Sequence, residues 1–368
     1  MKLKERISWL MGTVQKSLFP HLDECLPTPL TEREKHLVKL LELIQIEKFV
    51  PVTASRQWLG RPIKEREAIA RAFVAKAVLN YQHTSSLRNE LLSTPSLRMI
   101  CGFARRRDVV SESTFSRAFA EYAKAGLGGM VHDSLVKEKL GAELIGHISR
   151  DATAIIGREK PAKKTKVPKV AKKKGRPAKD EIREPVEPKR LDVQRGQTVE
   201  EAISLLPNVC DRGIKKNAKG YTETWNGFKL HLDVNDFGFP ISALLTSASV
   251  HDSQAAIPLM KLTSNKVTYC YDLMDAAYDA AQIRDQSREL GHVPIIDKNP
   301  RGKEAIPMAP HEAVRYNERT AAERCNSRLK EEFGGRSVMV RGANKVLLHL
   351  MFGVLALSAD QLLKVTGC

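Results

Sequence analysis

Apolar positions recur at helical spacing through the first third of the chain and at strand spacing after about residue 140. Leu37, Leu40, Leu41 and Ile44 mark one stripe over residues 32–49, and Ile69, Phe73, Ala77 and Tyr81 mark another over 63–81. Three shorter helices are expected over 86–93, 96–103 and 113–125. Pro95 is suited to the start of the second, and Ser111 or Ser113 to the cap of the third. Strands are expected over 144–156, 227–235 and 239–249, the last two joined by a turn at Asp236-Phe237-Gly238. Two further strands, 266–271 and 292–296, flank a helix over 276–290. A long helix follows over 310–333 and an apolar one over 345–364. Three antiparallel strands followed by alternating helices and strands give an α+β or α/β layered unit. The pattern divides the chain into an all-helical segment, 1–135, and a mixed segment, 140–368.

Charge changes this picture. The 368 residues carry 60 Lys+Arg against 43 Asp+Glu, a formal net charge of +17. Such a surplus points to a polyanionic partner, either nucleic acid or an anionic membrane surface. The membrane alternative is weak, because the longest apolar run, 346–357, contains His349 and Gly353 and is shorter than the ~20 residues a span requires. No small-residue cleavage site follows the short apolar patch near the start, so no secretory leader is expected. Six cysteines lie far apart without a Cys-x-x-Cys pair, which fits reduced thiols in a cytoplasm. Much of the surplus is local. Residues 160–179 hold ten Lys/Arg, no acid, no aromatic and three prolines. This composition describes a disordered basic tether of about 158–197 interrupting the mixed segment. Within it, Lys172-Lys173-Lys174-Gly175-Arg176-Pro177 looks like an AT-hook core laying Arg176 into a narrow A·T minor groove; a generic polycation on any phosphate backbone explains the same residues.

Two short helices leading into a third, with Ser113, Thr114, Ser116 and Arg117 on its first turns, form a candidate helix-turn-helix for DNA, although a purely structural bundle has the same pattern. The richest chemistry lies in residues 315–330, RYNERTAAERCNSRLK. At 100° per residue Tyr316, Arg319, Glu323 and Lys330 share one stripe about 60° wide, while Ala322, Cys325 and Leu329 lie on the other side. Ordinary ion pairs on a solvated face would look like this. So would a helix beside a phosphate backbone, with a carboxylate for a metal and cations for phosphate oxygens.

The spacing Tyr316-x2-Arg319-x3-Glu323-x6-Lys330 resembles the signature of one branch of the bacterial insertion-sequence transposases of the DDE class. The likeness extends to Asp151-Ala152-Thr153 as a first acidic motif and Asp275-Ala276-Ala277-Tyr278-Asp279 as a second. It also takes in the intervening hairpin, from Phe228 through Thr246 to His251-Asp252, and the helices of 66–125. The resemblance implies an RNase H-like mixed sheet flanked by helices, preceded by an all-helical DNA-binding domain. It implies Asp151, Asp275 and Glu323 as the catalytic carboxylates, holding two Mg²⁺ or Mn²⁺ ions with Asp151 bridging. It further implies double-stranded DNA (element ends and target) as partner, a homodimer on that DNA, a bacterial cytoplasmic setting, and no small-molecule substrate. Hard oxygen ligands suit these metals and not zinc. The chain departs from some relatives in that Glu323 follows Asp275 by only 48 positions, too few for a β-rich insertion, and in carrying its basic tether after the first acidic strand.

Asp272 and Asp279 rival Asp275 for the second acidic position. His251 and Asp252 are either supports for the site or the cap of a turn. The expected activity is metal-dependent cleavage at element ends and strand transfer into target DNA. The alternatives are a non-catalytic DNA-binding derivative of such an element, and a nuclease of the same fold that does not join ends.

Overall fold

The computed structural model describes residues 29–51, 65–163, 188–216, 220–300, 304 and 306–366. The chain begins there with α1, Glu32–Ile44, closed at its start by a capping box. The Thr31 hydroxyl accepts from the Glu34 N–H, and the Glu34 carboxylate accepts from the Thr31 N–H. Its buried face carries Leu37, Leu40, Leu41 and Ile44, the stripe expected from the sequence. The helices α2 (Arg66–Val78), α3 (Thr84–Ser93), α4 (Pro95–Ile100, proline in its first turn) and α5 (Glu112–Ala125) follow. Next comes α6, Leu127–Leu140, which periodicity missed because Gly128 and Gly129 read as breakers. Gly128 is required by packing: a Cβ there would stand 2.6 Å from Met351 Cβ.

Glu42 is an oddity of this layer. It is 2% exposed, and neither carboxylate oxygen has a hydrogen-bond partner among the described residues. Burial pushes it up to about 7 from 4.5, against the weaker pull of Lys39. The folded state therefore holds a proton that the unfolded chain releases at lower pH. Stability is lost between about pH 4.5 and 7, and the cost is complete above that window. Glu42→Met is expected to stabilise the protein by about 2 kcal/mol at pH 8 and by almost nothing near pH 4. Thermal melts of both proteins at the two pH values check this.

The mixed segment opens with β1, Leu144–Ile156, the longest expectation that the structure matches end to end. Short helices α7 (Arg190–Arg195) and α8 (Val199–Ser204) come next, then β2 (Asp211–Lys216), β3 (Thr222–Asn235) and β4 (Pro240–Ser247). The helix α9 spans Ser253–Ser264, β5 Thr268–Met274, α10 Ala281–Glu289 and β6 Val293–Ile296. The chain continues through α11 (Pro310–Tyr316), α12 (Thr320–Glu331) and α13 (Ala343–Thr366).

The six strands form one mixed sheet in the order β2-β3-β1-β5-β6, with β4 also on β3. Strand β3 runs antiparallel to β1 and β4, whereas β5 is parallel to β1 and β6 to β5. A central strand with an antiparallel hairpin on one side and parallel strands on the other is the RNase H-like arrangement expected above.

The last residues of the stretch expected as a tether, 188–197, are described and include a helix. Helix α7 already begins at Arg190, and the Lys261 ammonium holds the carbonyls of Gln194, Arg195 and Gln197. Residues 164–187, including Lys172, Lys173, Lys174 and Arg176 of the AT-hook-like core, lie outside the described residues.

One hydrophobic core runs from the helical layer into the sheet, and α13 threads it. That helix is long and apolar enough to cross a membrane, yet 83% of its most apolar stretch is buried inside the protein. It is a core helix. Gly353 lets it approach Phe333, whose carbonyl oxygen would lie 2.6 Å from a Cβ.

Candidate active site

Strand alternation sends neighbouring residues of β1 to opposite faces of the sheet. Arg150 points into the core, 1% exposed, and Asp151 into a half-buried hollow at the edge of the core. The Arg150 guanidinium lies 2.6 Å from Asp233 on β3 and 3.3 Å from Asp272 on β5. Thr263 donates at 2.6 Å to the same Asp233 oxygen, Tyr269 at 3.2 Å to the Asp272 oxygen that faces Arg150, and Ser287 at 2.6 Å to the other Asp272 oxygen. One cation thus clamps the three central strands in register, directly beneath the hollow. This network also disposes of Asp272 as a rival, because a fully buried carboxylate with these partners cannot meet a ligand. Asp279 is engaged as well, by Arg284 at 2.8 Å and the Asn299 amide at 3.1 Å.

Parallel pairing matches Ser149 with Leu273, so the next two steps bring Asp151 beside Asp275 at the end of β5. There Asp275 caps a single 3₁₀ turn, accepting the Ala277 N–H at 2.9 Å. Burial pushes Asp151 up to about 6. The Asp275 charge contributes to that rise, while the Ala152 amide, Arg319 and Asn326 oppose it. Asp275 is raised too, first by burial and then by the charges of Asp252 and Asp297. Two desolvated carboxylates that repel each other form a site short of positive charge. The phenol of Tyr278 lies buried near them, its hydroxyl without a hydrogen-bond partner among the described residues, and is held well above its usual range, first by burial and then by Asp252, Asp151 and Asp275.

The helix carrying the four-residue signature lies against β1. Asn326 Nδ2 donates to Asp151 Oδ2 at 2.9 Å, and Ser149 Oγ donates to the Glu318 carbonyl at 3.2 Å. The single helix expected over 310–333 is interrupted by a 3₁₀ turn at Asn317–Arg319. At three residues per turn this eclipses positions three apart. It brings the Arg319 guanidinium over the Tyr316 ring, 5.6 Å from its centre. The stripe does not lie on open surface. Glu323 is exposed, but Tyr316, Arg319 and Lys330 are partly buried, and the charges of Arg319 and Lys330 both act on Asp151.

Arg319 is the hinge of the arrangement. Its guanidinium binds Glu323 at 2.5 Å, and its charge also reaches Asp151 and Asp275. Glu323 therefore faces the same cation as the two aspartates without closing a cage with them. Among the described residues, no three His, Cys, Asp or Glu side chains are gathered closely enough to hold an ion. The donor set nevertheless suits a hard divalent cation, because Asp151 and Asp275 each have one oxygen held by a neighbouring donor and are short of compensating charge.

Other candidates have clear places. Ser113, Ser116 and Arg117 are exposed on the first turns of α5, and Thr114 is half-buried, hydrogen-bonded to Ser111 and Arg117. His251 is exposed and bonds Ser253 at 2.8 Å, so it closes a turn. Asp252 pairs with Lys229 at 2.8 Å, and its charge acts on Asp275. Asn326 was missed by sequence reasoning, although its position three after Glu323, on the helix side that packs, was the available signal.

Two family models match parts of the chain. A family model described as a transposase DDE domain matches residues 208–359, and a transposase domain of the DUF772 type matches residues 25–121. The first match begins after β1, so it contains Asp275 and Glu323 but leaves Asp151 to rest on the strand register. No curated protein and no solved structure matches the chain.

Proposed function

We propose that this chain, which matches a transposase DDE domain over residues 208–359 and a transposase domain over residues 25–121, cuts phosphodiester bonds at the ends of a DNA element and joins those ends to target DNA. The observation that carries this reading is the parallel register of β1 and β5, which sets Asp151 beside Asp275 with the signature helix lying over both. In this reading Asp151, Asp275 and Glu323 hold two Mg²⁺ or Mn²⁺ ions. Bound there, the ions would supply the charge that activates a nucleophile and stabilises the leaving oxygen. Tyr316, Arg319 and Lys330 line the approach and steer the scissile phosphate, Arg319 by exchanging Glu323 for phosphate oxygens.

The helical layer brings the element end. Ser113, Thr114, Ser116 and Arg117 are its reading surface on α5, and Lys172, Lys173, Lys174 and Arg176 of the tether add salt-dependent affinity without readout. The working complex is a homodimer on double-stranded DNA in a bacterial cytoplasm.

A proton on Asp151 competes with metal. Because burial and Asp275 lift this group to about 6, metal affinity should weaken by up to about tenfold per pH unit below that value and level off above it. Mn²⁺ titrations between pH 5 and 8 measure this directly.

The function itself is tested by incubating the protein with labelled element-end duplexes, a supercoiled target plasmid and Mg²⁺. Covalent joining of the labelled 3′ end to the plasmid is the expected result. Nicking without joining would reduce the protein to a nuclease.

A further inference from the structure

Away from the carboxylates, a cavity of about 530 Å³ opens between the helical layer and the segment that leads into α13. It shares no residue with the Asp151–Asp275 hollow. Its size lies within the range of sites that enclose small ligands. Its floor is aromatic, built from the packed rings of Phe73, Phe119 and Phe352. Its remaining chemistry is cationic: Lys76, Arg158, Arg341 and Lys345 line it, against one carboxylate, Glu112.

Lys76 is the telling residue. It is 8% exposed, on a helix buried almost all round, and its ammonium has no hydrogen bond or ion pair among the described residues. Burial of the ammonium lowers it to about 8, and its charge in turn helps lower His349, a second lining residue. An ammonium in such a place costs free energy unless an anion meets it. The first turn of α3 also faces the cavity through Thr84 and Ser85, and this helix has no side-chain cap. Its first N–H groups and the positive end of its dipole therefore add to the same field.

We infer that this cavity binds a phosphoryl group, with Lys76 at its base, the start of α3 at one wall and Arg158, Arg341 and Lys345 at its mouth. The inference does not depend on the catalytic reading, since a protein without metal chemistry would keep the site. The same cations suit a phosphodiester of a DNA strand lying across the mouth and a free phosphate compound entering alone. Arg158 and Arg341 also line the neighbouring depression beside Trp225, which extends the basic surface outward from the mouth.

The experiment is a calorimetric titration of the full-length protein with inorganic phosphate, alone and after saturation with a short random-sequence duplex. Wild-type protein should bind phosphate, Lys76→Met should weaken binding by about tenfold or more, and Lys345→Ala by several-fold. The change at the half-buried Lys345 keeps the test decisive if Lys76→Met disturbs folding. Loss of phosphate binding in the presence of duplex would identify a DNA backbone phosphate as the occupant, and unaltered binding would identify a free phosphate compound; either supports the site. No phosphate binding by the wild-type protein, or equal binding by all three proteins, would overturn it.

Discussion

Asp151→Asn, Asp275→Asn and Glu323→Gln are each expected to lower Mg²⁺-dependent cleavage by about 10³-fold or more while leaving end binding largely intact. An amide keeps the shape of the side chain and removes the charge that holds a cation. For Asp151 and Asp275 the amide also relieves a desolvated, mutually repulsive pair, so both variants should melt no lower than wild type. Lost activity with retained or increased stability is the signature of a functional site in place of a structural one. Asp272→Asn is the contrasting control, since its carboxylate serves Arg150, Tyr269 and Ser287 in the core. It should cost stability first. Near-wild-type cleavage by Asp275→Asn would remove that residue from the catalytic set.

The second large effect is on the fold. Arg150→Met should destabilise the protein by about 3–5 kcal/mol, because it strands Asp233 and Asp272 as buried carboxylates without their cation. Asp233 is already raised, with burial the largest cause and Arg150 the largest opposing influence. Removing Arg150 should push it higher, so the loss should be smaller in acid, where the stranded groups are protonated, and larger at neutral pH. Arg150→Lys should recover only part, since an ammonium lacks the planar guanidinium, whose one terminal nitrogen here reaches both carboxylates while the other meets Met274. Urea denaturation of the three proteins at pH 5 and 8 measures all of this. A loss below about 1 kcal/mol would mean that the clamp does not hold the strands beneath the site.

Much of the sheet was legible because strand-length stretches mixing β-branched or apolar residues with polar ones are bounded by turn residues, as at 144–156, 227–235 and 292–296. Elements were lost where local chemistry argues against the tertiary outcome. Gly128-Gly129 hid α6, because its tight approach to Met351 shows only in three dimensions. Pro258 hid α9, which tolerates a proline in its interior.

The candidate site was legible as a fixed spacing around Glu323 and, through the family resemblance it carried, as the acidic motifs of Asp151 and Asp275, with Asp272 and Asp279 left as rivals. Separating them needed burial, because Asp272 lies on the same strand as the approach to Asp275 and differs by the partners it meets. The 3₁₀ turn that folds Arg319 onto Tyr316 was invisible for a related reason. It changes the phase of the helix by a few tenths of a residue per turn, too little for a hydrophobic pattern to register. Lys76 was hidden by its setting, an Ala-rich helix in which one lysine reads as a solvated position.

The central claim is that Asp151, Asp275 and Glu323 share divalent cations at the end of β5. The most direct measurement is anomalous X-ray scattering from Mn²⁺ in crystals of the protein bound to an element-end duplex. The account predicts manganese between Asp151 and Asp275, with Glu323 turned from Arg319 to the metal and Arg319 on the DNA backbone. Manganese absent from that place while Glu323 stays paired with Arg319, in a complex with the duplex seated over the hollow, would contradict it.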